Sequence, residues 1–165
     1  LETIDGCVSD VIPYYATSEA VDSATGLLNK RACMEYTKSV ITSKDDKIHY
    51  MIMFDVDNFK SINDTYGHVE GDRALIRIAG VLKKTLAGHA GILARYGGDE
   101  FCIAGEMLRE EAEHLIKNLY ENLEKANKQA ASPYDIGMSV GCAQFTKEVR
   151  TIPDLVNSAD EDMYL

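Results

Sequence analysis

Hydrophobic and polar residues alternate along the chain with two different periods, and the shorter period marks the strands. The segment IHYMIMFDVD (48–57) is apolar on both alternating faces until Asp55, which predicts a central strand covered on both sides. The segment AGILARYGGDEFCIAGE (90–106) is apolar at both ends and glycine-rich between them. It predicts a β-hairpin with Gly97 and Gly98 at its tip. The segment YDIGMSVGCAQF (134–145) predicts a further strand.

Helical patterns fill most of the remaining chain. A turn at Thr25 and Gly26 precedes a predicted helix of about 12–14 residues, and NFKSINDTYGH (58–68) predicts a short helix that ends near Gly67. Two longer helices are predicted over 70–88 and 109–129, and a last one over 151–165, with Pro153 near its start. Their apolar stripes are Leu75, Ile78, Ala79, Leu82 and Leu86 in the first, and Ala112, Leu115, Leu119, Leu123 and Ala126 in the second.

The predicted order of elements indicates an α/β fold of the α+β type. The order is helix, strand, helix, helix, hairpin, helix, strand, helix. A hairpin excludes an all-parallel sheet, so we expect a mixed, mostly antiparallel sheet with helices packed on it. Residues 1–21 show no clean period, and we interpret them as a lead-in from an upstream region.

Length and charge narrow the class of protein. A chain of 165 residues predicts one domain with a sizeable core. The formal net charge of −10 argues against a non-specific nucleic-acid binder, which needs a basic face. No apolar run approaches the roughly 18–20 residues that span a bilayer, and no signal-peptide pattern opens the chain. Because the sequence begins with Leu1 instead of methionine, we expect it to be part of a longer protein.

The four cysteines, Cys7, Cys33, Cys102 and Cys142, form no metal-binding spacing. They indicate reduced, mostly buried thiols in a cytosolic setting.

Two pairs of acidic residues lie where predicted strands end. Asp55 and Asp57 share one face at the end of the central strand, and Asp99 and Glu100 occupy the hairpin tip. Solvated acids at a strand end and in a turn would explain both pairs without any ligand. If the two strands are neighbours, however, Asp55 and Asp99 meet over one divalent cation, and hard oxygen ligands suit Mg²⁺ or Mn²⁺.

A phosphate-binding loop is expected directly after the central strand. The sequence contains neither the Walker A pattern nor G-x-G-x-x-G. The segment from Asp57 to Lys60 joins a strand end to a helix start, where free backbone N–H groups favour anions. Lys60 adds a positive charge there, although an ordinary exposed helix lysine is the alternative.

Several of these segments together resemble the GGDEF family of diguanylate cyclases. The resemblance rests on RYGGDEF (95–101) and on FDVDNFKSINDTYGHVEGDRAL (54–75). DSATGLLNKR (22–31) is similar to the family's entry motif, with Ala24 where leucine is usual, and IGMSVGCAQF and NSADEDMYL resemble its late strand and last helix. The similarity covers about residues 22–165, which we expect to form the GGDEF domain. It implies a palm-like sheet related in architecture to nucleotidyl cyclases and polymerases.

The resemblance also implies a reaction and its participants. Two GTP molecules would condense into cyclic di-GMP with release of pyrophosphate, using Mg²⁺ or Mn²⁺, with two ions per active site. The active form would be a transient homodimer controlled by an upstream sensory domain outside this chain. The domain would be cytoplasmic, part of a larger or membrane-anchored protein, without nucleic acid as a partner and without membrane contact of its own.

The roles that the resemblance implies fall into three groups. Metal ligands would be Asp55, Asp99 and the backbone carbonyl of Val56. Catalytic residues would be Asp99, Glu100 and Lys60, with Glu100 or Asp99 activating the attacking 3′-hydroxyl. Substrate-binding residues would be Asn58, Phe59, Lys60, Asn63, His68, Asp72, Gly97 and Gly98, of which Asn63 and Asp72 would read the guanine edge. Helix capping is the alternative for Asn63 and Asp72, since both lie at plausible helix boundaries.

Two departures from the family pattern bear on regulation and activity. The Arg-x-x-Asp of the family's product-binding inhibitory site falls on Gly88 and Gly91, so we expect that site to be absent. The family's last helix continues into a lysine and an arginine that help to hold phosphates, and this sequence stops at Leu165. The rival interpretation is a catalytically silent GTP-binding GGDEF module. The intact motif residues argue against it, namely Asp55, Asn63, Asp72, Asp99 and Glu100. A palm-type polymerase is disfavoured by charge and size.

Overall fold

Over residues 22–145 of the part that the structure describes, helices and strands follow one another in the predicted order. A computed structural model describes residues 3–4, 7–8, 18–43 and 46–145. Two short strands, β1 (Thr3–Ile4) and β2 (Cys7–Val8), pair with each other, and a 3-10 turn spans Ser18–Ala20. The remaining elements are α1 (Lys30–Thr42), β3 (His49–Val56), α2 (Phe59–Tyr66), α3 (His68–Leu86), β4 (Ile92–Arg95), β5 (Glu100–Glu106), α4 (Arg109–Gln129) and β6 (Met138–Gln144). The helix predicted over 151–165 lies outside the described residues, as does most of the lead-in.

The main sheet has the strand order β4-β5-β3-β6, and each neighbouring pair is antiparallel. The predicted mostly antiparallel sheet with flanking helices is therefore confirmed. Within the described residues, the parallel contribution is an isolated bridge between Leu28 and Ala94. The strand predicted to be central, β3, lies between β5 and β6. Its end is consequently fixed by hydrogen bonds on both sides.

The core surrounds β3. Met51, Ile52, Met53 and Phe54 are each at most 2% exposed, although successive residues of a strand point to opposite faces. Both faces of the strand are thus covered, as the unbroken apolar run predicted. Burial of each such side chain contributes about 1.5–3 kcal/mol, which holds the polar end of β3 on a rigid base.

Three helices, α1, α3 and α4, contribute to that cover. The apolar stripes predicted for α3 and α4 are buried in the core, except for the half-buried Ala126. α3 and α4 pack against each other, and the Asn122 side chain donates to Thr85 Oγ1 across their contact at 3.1 Å. α1 begins where the Asn29 side chain accepts a hydrogen bond from the Ala32 amide at 3.0 Å. None of the helices in the described part of the chain is long and apolar enough to cross a membrane. Cys33, Cys102 and Cys142 are free thiols, and Cys33 and Cys102 are fully buried.

The glycines at 88 and 91 serve the turn between α3 and β4. Their φ angles are 83° and 142°, a region that side chains disfavour. A Cβ atom on Gly91 would also lie 2.8 Å from the carbonyl oxygen of Ala104 in β5. The turn geometry therefore accounts for glycine at the two positions where the family's inhibitory motif would place arginine and aspartate.

Two glycine substitutions should change stability in opposite directions. Gly91→Ala should lower the free energy of unfolding by about 1–3 kcal/mol, because it adds both backbone strain and a clash. Gly80→Ala should raise it by about 0.5–1 kcal/mol, because Gly80 is an exposed residue within α3 with open space around its Cα. Urea denaturation of both variants is the measurement. Equal effects of the two substitutions would contradict the role given to Gly91.

Candidate active site

Three carboxylates meet where β3 ends beside β5. The strand register places Asp55 directly opposite Glu100, and Asp99 immediately precedes β5. One oxygen atom from each of Asp55, Asp99 and Glu100 lies within 4.8 Å of the other two, and all three residues are half-buried. The structure thus brings together the two acids that the sequence placed on separate segments, and adds Glu100 to them.

This carboxylate cluster has the composition of a hard-cation site. Like charges at such a distance repel one another unless a proton or a cation intervenes. Carboxylate oxygens are the ligands that Mg²⁺ and Mn²⁺ prefer, so the donor set fits either ion. The Val56 amide donates to the Asp99 carbonyl at 3.0 Å and so fixes the turn against β3. The metal-ligand role of the Val56 carbonyl remains a prediction.

Asp57 has a different environment from Asp55. Its carboxylate accepts a hydrogen bond from the Ser139 hydroxyl of β6 at 2.6 Å, and its amide donates to the Gly137 carbonyl at 2.9 Å. Asp57 therefore joins the chain after β3 to β6, and it is not a member of the carboxylate cluster.

Arg95 shapes the glycine turn that carries Asp99. Its guanidinium donates to the carbonyl of Gly98 at 2.8 Å and to that of Gly97 at 3.2 Å. On its other side the guanidinium lies 3.3 Å from Asp22 Oδ2. A planar fork that bridges an acid and two carbonyls sets the turn geometry, so the start of the domain is connected to the hairpin tip.

The Asp22 carboxyl is itself held by several donors. The Thr25 hydroxyl donates to it at 2.7 Å and the Thr25 amide at 3.0 Å. Burial alone would raise the pKa of Asp22, but these hydrogen bonds and the Arg95 charge outweigh burial and lower the pKa below its ordinary 3.8. Asp22 is therefore ionised at neutral pH and pairs with Arg95.

The two tip glycines have different reasons to lack a side chain. A Cβ atom on Gly97 would overlap the Glu100 carboxylate, so Gly97 permits that carboxylate to pack against the turn. Gly98 does not have a positive φ, and a Cβ atom added to it would meet no atom within 4 Å. The fold does not require glycine at 98, and the open space beside the carboxylate cluster leaves room for a ligand.

The expected phosphate loop follows β3 in a tight reversal. Asn58 has φ 54° and ψ 33°, which is the left-handed region that asparagine tolerates better than most residues. This conformation turns the chain into α2, whose first turn begins with Phe59 and Lys60. Phe59 packs against the core, and Lys60 is exposed. The loop thus presents helix N-terminal amides and a lysine side chain, and its contact with phosphate remains a prediction.

The two residues expected to read guanine lie on α2 and α3, and Asn63 packs against the residue before Asp72. Asn63 is half-buried, and its amide side chain lies so close to Gly71 that a Cβ atom there would overlap it. Asp72, the next residue, is exposed in α3. The helix-capping alternative is wrong, because the N-cap residues of α2 and α3 are Asn58 and Gly67. His68 is exposed at the first position of α3.

Sequence reasoning gave no role to Asp22 or Arg95. Both lie inside the recognised segments DSATGLLNKR and RYGGDEF, so a signal was present. The sequence does not show that Arg95 contacts Asp22, because this contact depends on packing between segments separated by more than 70 residues.

The comparisons with known proteins agree on one family. The sequence model described as "Diguanylate cyclase, GGDEF domain" matches residues 19–165. An uncharacterized protein of Bacillus subtilis, YtrP, is 35% identical over 130 residues, which is 73% of this chain and 22% of YtrP. A probable diguanylate cyclase of Escherichia coli, DgcJ, is 32% identical over 147 residues, which is 87% of this chain and 28% of DgcJ.

The fold also occurs among solved structures. The diguanylate cyclase SiaD of Pseudomonas aeruginosa, crystallised in complex with its activator SiaC, aligns with a TM-score of 0.79 at 25% identity. The alignment covers 93% of this chain and 60% of that one. This chain therefore spans less than a third of the length of the two curated relatives and about three fifths of the SiaD chain.

Breaking the Asp22–Arg95 pair should have a pH-dependent effect on stability. Because the folded-state pKa of Asp22 is lowered, its ionisation stabilises the fold fully above pH 3.8, and this stabilisation is lost as pH falls through the folded-state pKa. Asp22→Asn should therefore be less stable than the parent chain at pH 7, and the difference should shrink as the pH falls below about 4. Urea denaturation at several pH values checks this. A difference that stays constant from pH 7 to pH 2 would exclude the proposed ionisation of Asp22.

Proposed function

Because the chain belongs to the GGDEF family of diguanylate cyclase domains, we propose that it condenses two GTP molecules into cyclic di-GMP and two pyrophosphates. One observation carries the proposal: Asp55, Asp99 and Glu100 form a half-buried carboxylate cluster at the joined ends of β3 and β5. Next to it lie an open glycine turn and a helix N-terminus with a lysine, which suit a polyphosphate.

The carboxylate cluster would hold the metal. Asp55, Asp99 and the Val56 carbonyl offer hard oxygen ligands for Mg²⁺ or Mn²⁺, with two ions per active site. When bound, the metal neutralises charge on the phosphate oxygens during phosphoryl transfer.

The remaining groups at the cluster would act on the reacting atoms. Glu100 or Asp99 accepts the proton of the attacking 3′-hydroxyl as its oxygen bonds to the α-phosphorus, and pyrophosphate leaves with the broken bond's electron pair. Lys60 and the amides that follow Asn58 would stabilise the phosphate charge, together with Phe59, which anchors the loop to the core. The open side of Gly97 and Gly98 would admit the triphosphate.

The α2–α3 corner, where α2 ends at Tyr66 and α3 begins at His68, would select the base. Asp72 can accept from the N1–H and 2-amino groups of guanine together, and Asn63 offers both a donor and an acceptor. His68 lies at the same corner, one residue after Gly67. Adenine lacks both of the donors that Asp72 would accept from, so the site would prefer GTP.

Two domains must cooperate in the reaction. One domain holds one GTP, and ring closure needs two 3′-hydroxyls attacking two α-phosphates, so two such sites must face each other. The proposed active form is a transient homodimer of a cytoplasmic domain, regulated by an upstream sensory domain.

Product analysis tests the proposal. The full-length protein incubated with GTP and Mg²⁺ should release cyclic di-GMP and pyrophosphate in a ratio of one to two, as chromatography can quantify. Binding of GTP without any product, over a range of protein concentrations, would contradict turnover and leave a silent GTP-binding regulatory module.

Removal of one cluster carboxylate should abolish turnover and leave the fold intact. Asp55→Ala should reduce the rate about 10²-fold or more, because it removes a ligand at a strand end. Glu106→Ala is the matched control, since Glu106 is an exposed acid at the opposite end of the β5–β3 pairing. Steady-state rates with circular dichroism of both variants give the answer. Near-parental turnover by Asp55→Ala would exclude its role as a metal ligand.

Substitution of the proposed guanine acid should reduce base selectivity. Asp72→Asn should raise KM for GTP and narrow the ratio of kcat/KM for GTP over ATP by about tenfold or more, because it removes the second acceptor for paired donors. Lys84→Gln, at an exposed position near the far end of α3, serves as the control. Equal use of ATP and GTP by the parent protein would refute the assignment of Asp72 and of Asn63 with it.

A further inference from the structure

We propose that Tyr134 is a positioning residue for guanine recognition, because it holds together the corner between α2 and α3 at which Asn63 packs against Gly71, the residue before Asp72. This inference rests on the proposed function and deepens it. Tyr134 lies in the loop between α4 and β6, outside every segment that carries the family resemblance.

The Tyr134 hydroxyl binds the first turn of α3. Its oxygen lies 3.0 Å from Glu70 Oε1 and 3.2 Å from the Glu70 carbonyl oxygen, and it can donate to either. Glu70 precedes Gly71, the residue against which Asn63 packs. Burial and the Glu70 contact raise the pKa of Tyr134, so the hydroxyl remains a donor at neutral pH.

The Tyr134 ring binds the other side of the corner. Tyr66, the last residue of α2, stacks on it with ring centroids 5.1 Å apart, and its own hydroxyl points to the Pro133 carbonyl at 3.4 Å. The Arg77 guanidinium of α3 lies 5.5 Å from the Tyr134 ring centroid and 3.4 Å from the Ser132 hydroxyl. One side chain therefore contacts the end of α2 and two positions that lie about two turns apart on α3.

The corner needs such a support. The two helices are separated by Gly67 alone, with φ 89° and ψ 164°, and a Cβ atom there would contact nothing within 4 Å. Glycine is the residue that resists a change in backbone angle least. A small rotation at Gly67 would move Asp72 relative to Asn63, and misplacement by about 1 Å can cost a site as much as 10²-fold.

The loop that carries Tyr134 is firmly held at its other end. The Asn127 side chain of α4 both accepts from the Ile136 amide and donates to the Ile136 carbonyl, each at 2.9 Å. The next residue, Gly137, accepts from the amide of Asp57 after β3. The same short loop thus contacts the guanine corner at one end and the start of the expected phosphate loop at the other.

A matched pair of substitutions separates positioning from simple stabilisation. Tyr134→Phe removes the hydrogen bond to Glu70 and keeps the ring. Tyr120→Phe is the control, because the Tyr120 hydroxyl also donates to a backbone carbonyl, that of Met138 at 3.1 Å, in a contact that joins α4 to β6 and does not involve the corner. Both variants lose one partly buried hydrogen bond, so their unfolding temperatures should fall by similar amounts.

The deciding measurement compares GTP with ITP, which lacks only the 2-amino group. In the full-length protein we measure KM, kcat and equilibrium binding constants for both nucleotides. Tyr134→Phe should weaken GTP binding about tenfold and ITP binding about twofold, with kcat nearly unchanged, because a displaced Asp72 loses its contact with the 2-amino group. Tyr120→Phe should leave both nucleotides unaffected.

Other outcomes would contradict the positioning role of Tyr134, the proposed reaction, or both. A GTP-to-ITP preference in Tyr134→Phe within twofold of the parent, or an equal loss in Tyr120→Phe, overturns the positioning role. Should the parent bind GTP without turning it over, the binding constants alone decide the role of Tyr134 and only the proposed reaction fails. A parent that binds neither nucleotide overturns both.

Discussion

Repulsion among three carboxylates held within 4.8 Å of one another is the constraint on which the rest of the structure depends. Like charges at such a separation repel one another, and solvent around half-buried groups screens part of that repulsion. The antiparallel register that aligns Asp55 with Glu100 imposes this proximity, and the buried run from Met51 to Phe54 supports the register. A one-residue slip would exchange the faces to which these side chains point, break their present packing and move Asp55 out of register with Glu100. The hydrophobic core therefore keeps the acids together.

Each element around the carboxylate cluster fixes the conformation of one further segment of the proposed site. Arg95 binds both carbonyls of the glycine turn and, through Asp22, ties the turn to the start of the domain. Asn58 reverses the chain after β3 in a left-handed conformation. Tyr134 supports the α2–α3 corner from a loop that also reaches the amide of Asp57 through Gly137. The base end and the phosphate end of the proposed site are thus connected through one short segment.

Sequence patterns predicted the elements well, because a buried strand and an amphipathic helix leave periodic signals that do not depend on their neighbours. β3 and the stripes of α3 and α4 are examples. The meeting of Asp55 with Asp99 was conditional on strand order, which periodicity does not contain. The Arg95–Asp22 pair and the Tyr134 contacts join segments far apart in the chain. Tyr134 belongs to the segment that predicted a strand, but it lies in the loop before β6. Polar contacts of this kind follow from packing and become visible only in the fold.

Metal-dependent stability tests the central claim most directly. The unfolding temperature of the chain is measured against increasing Mn²⁺ or Mg²⁺, alongside Asp55→Asn, which removes one charge at constant size. We predict a saturable rise for the parent chain, and for Asp55→Asn a higher starting temperature without metal, since repulsion is relieved, and a smaller rise with it. Identical responses of the two proteins, or no response to either ion, would contradict a cation site at the carboxylate cluster.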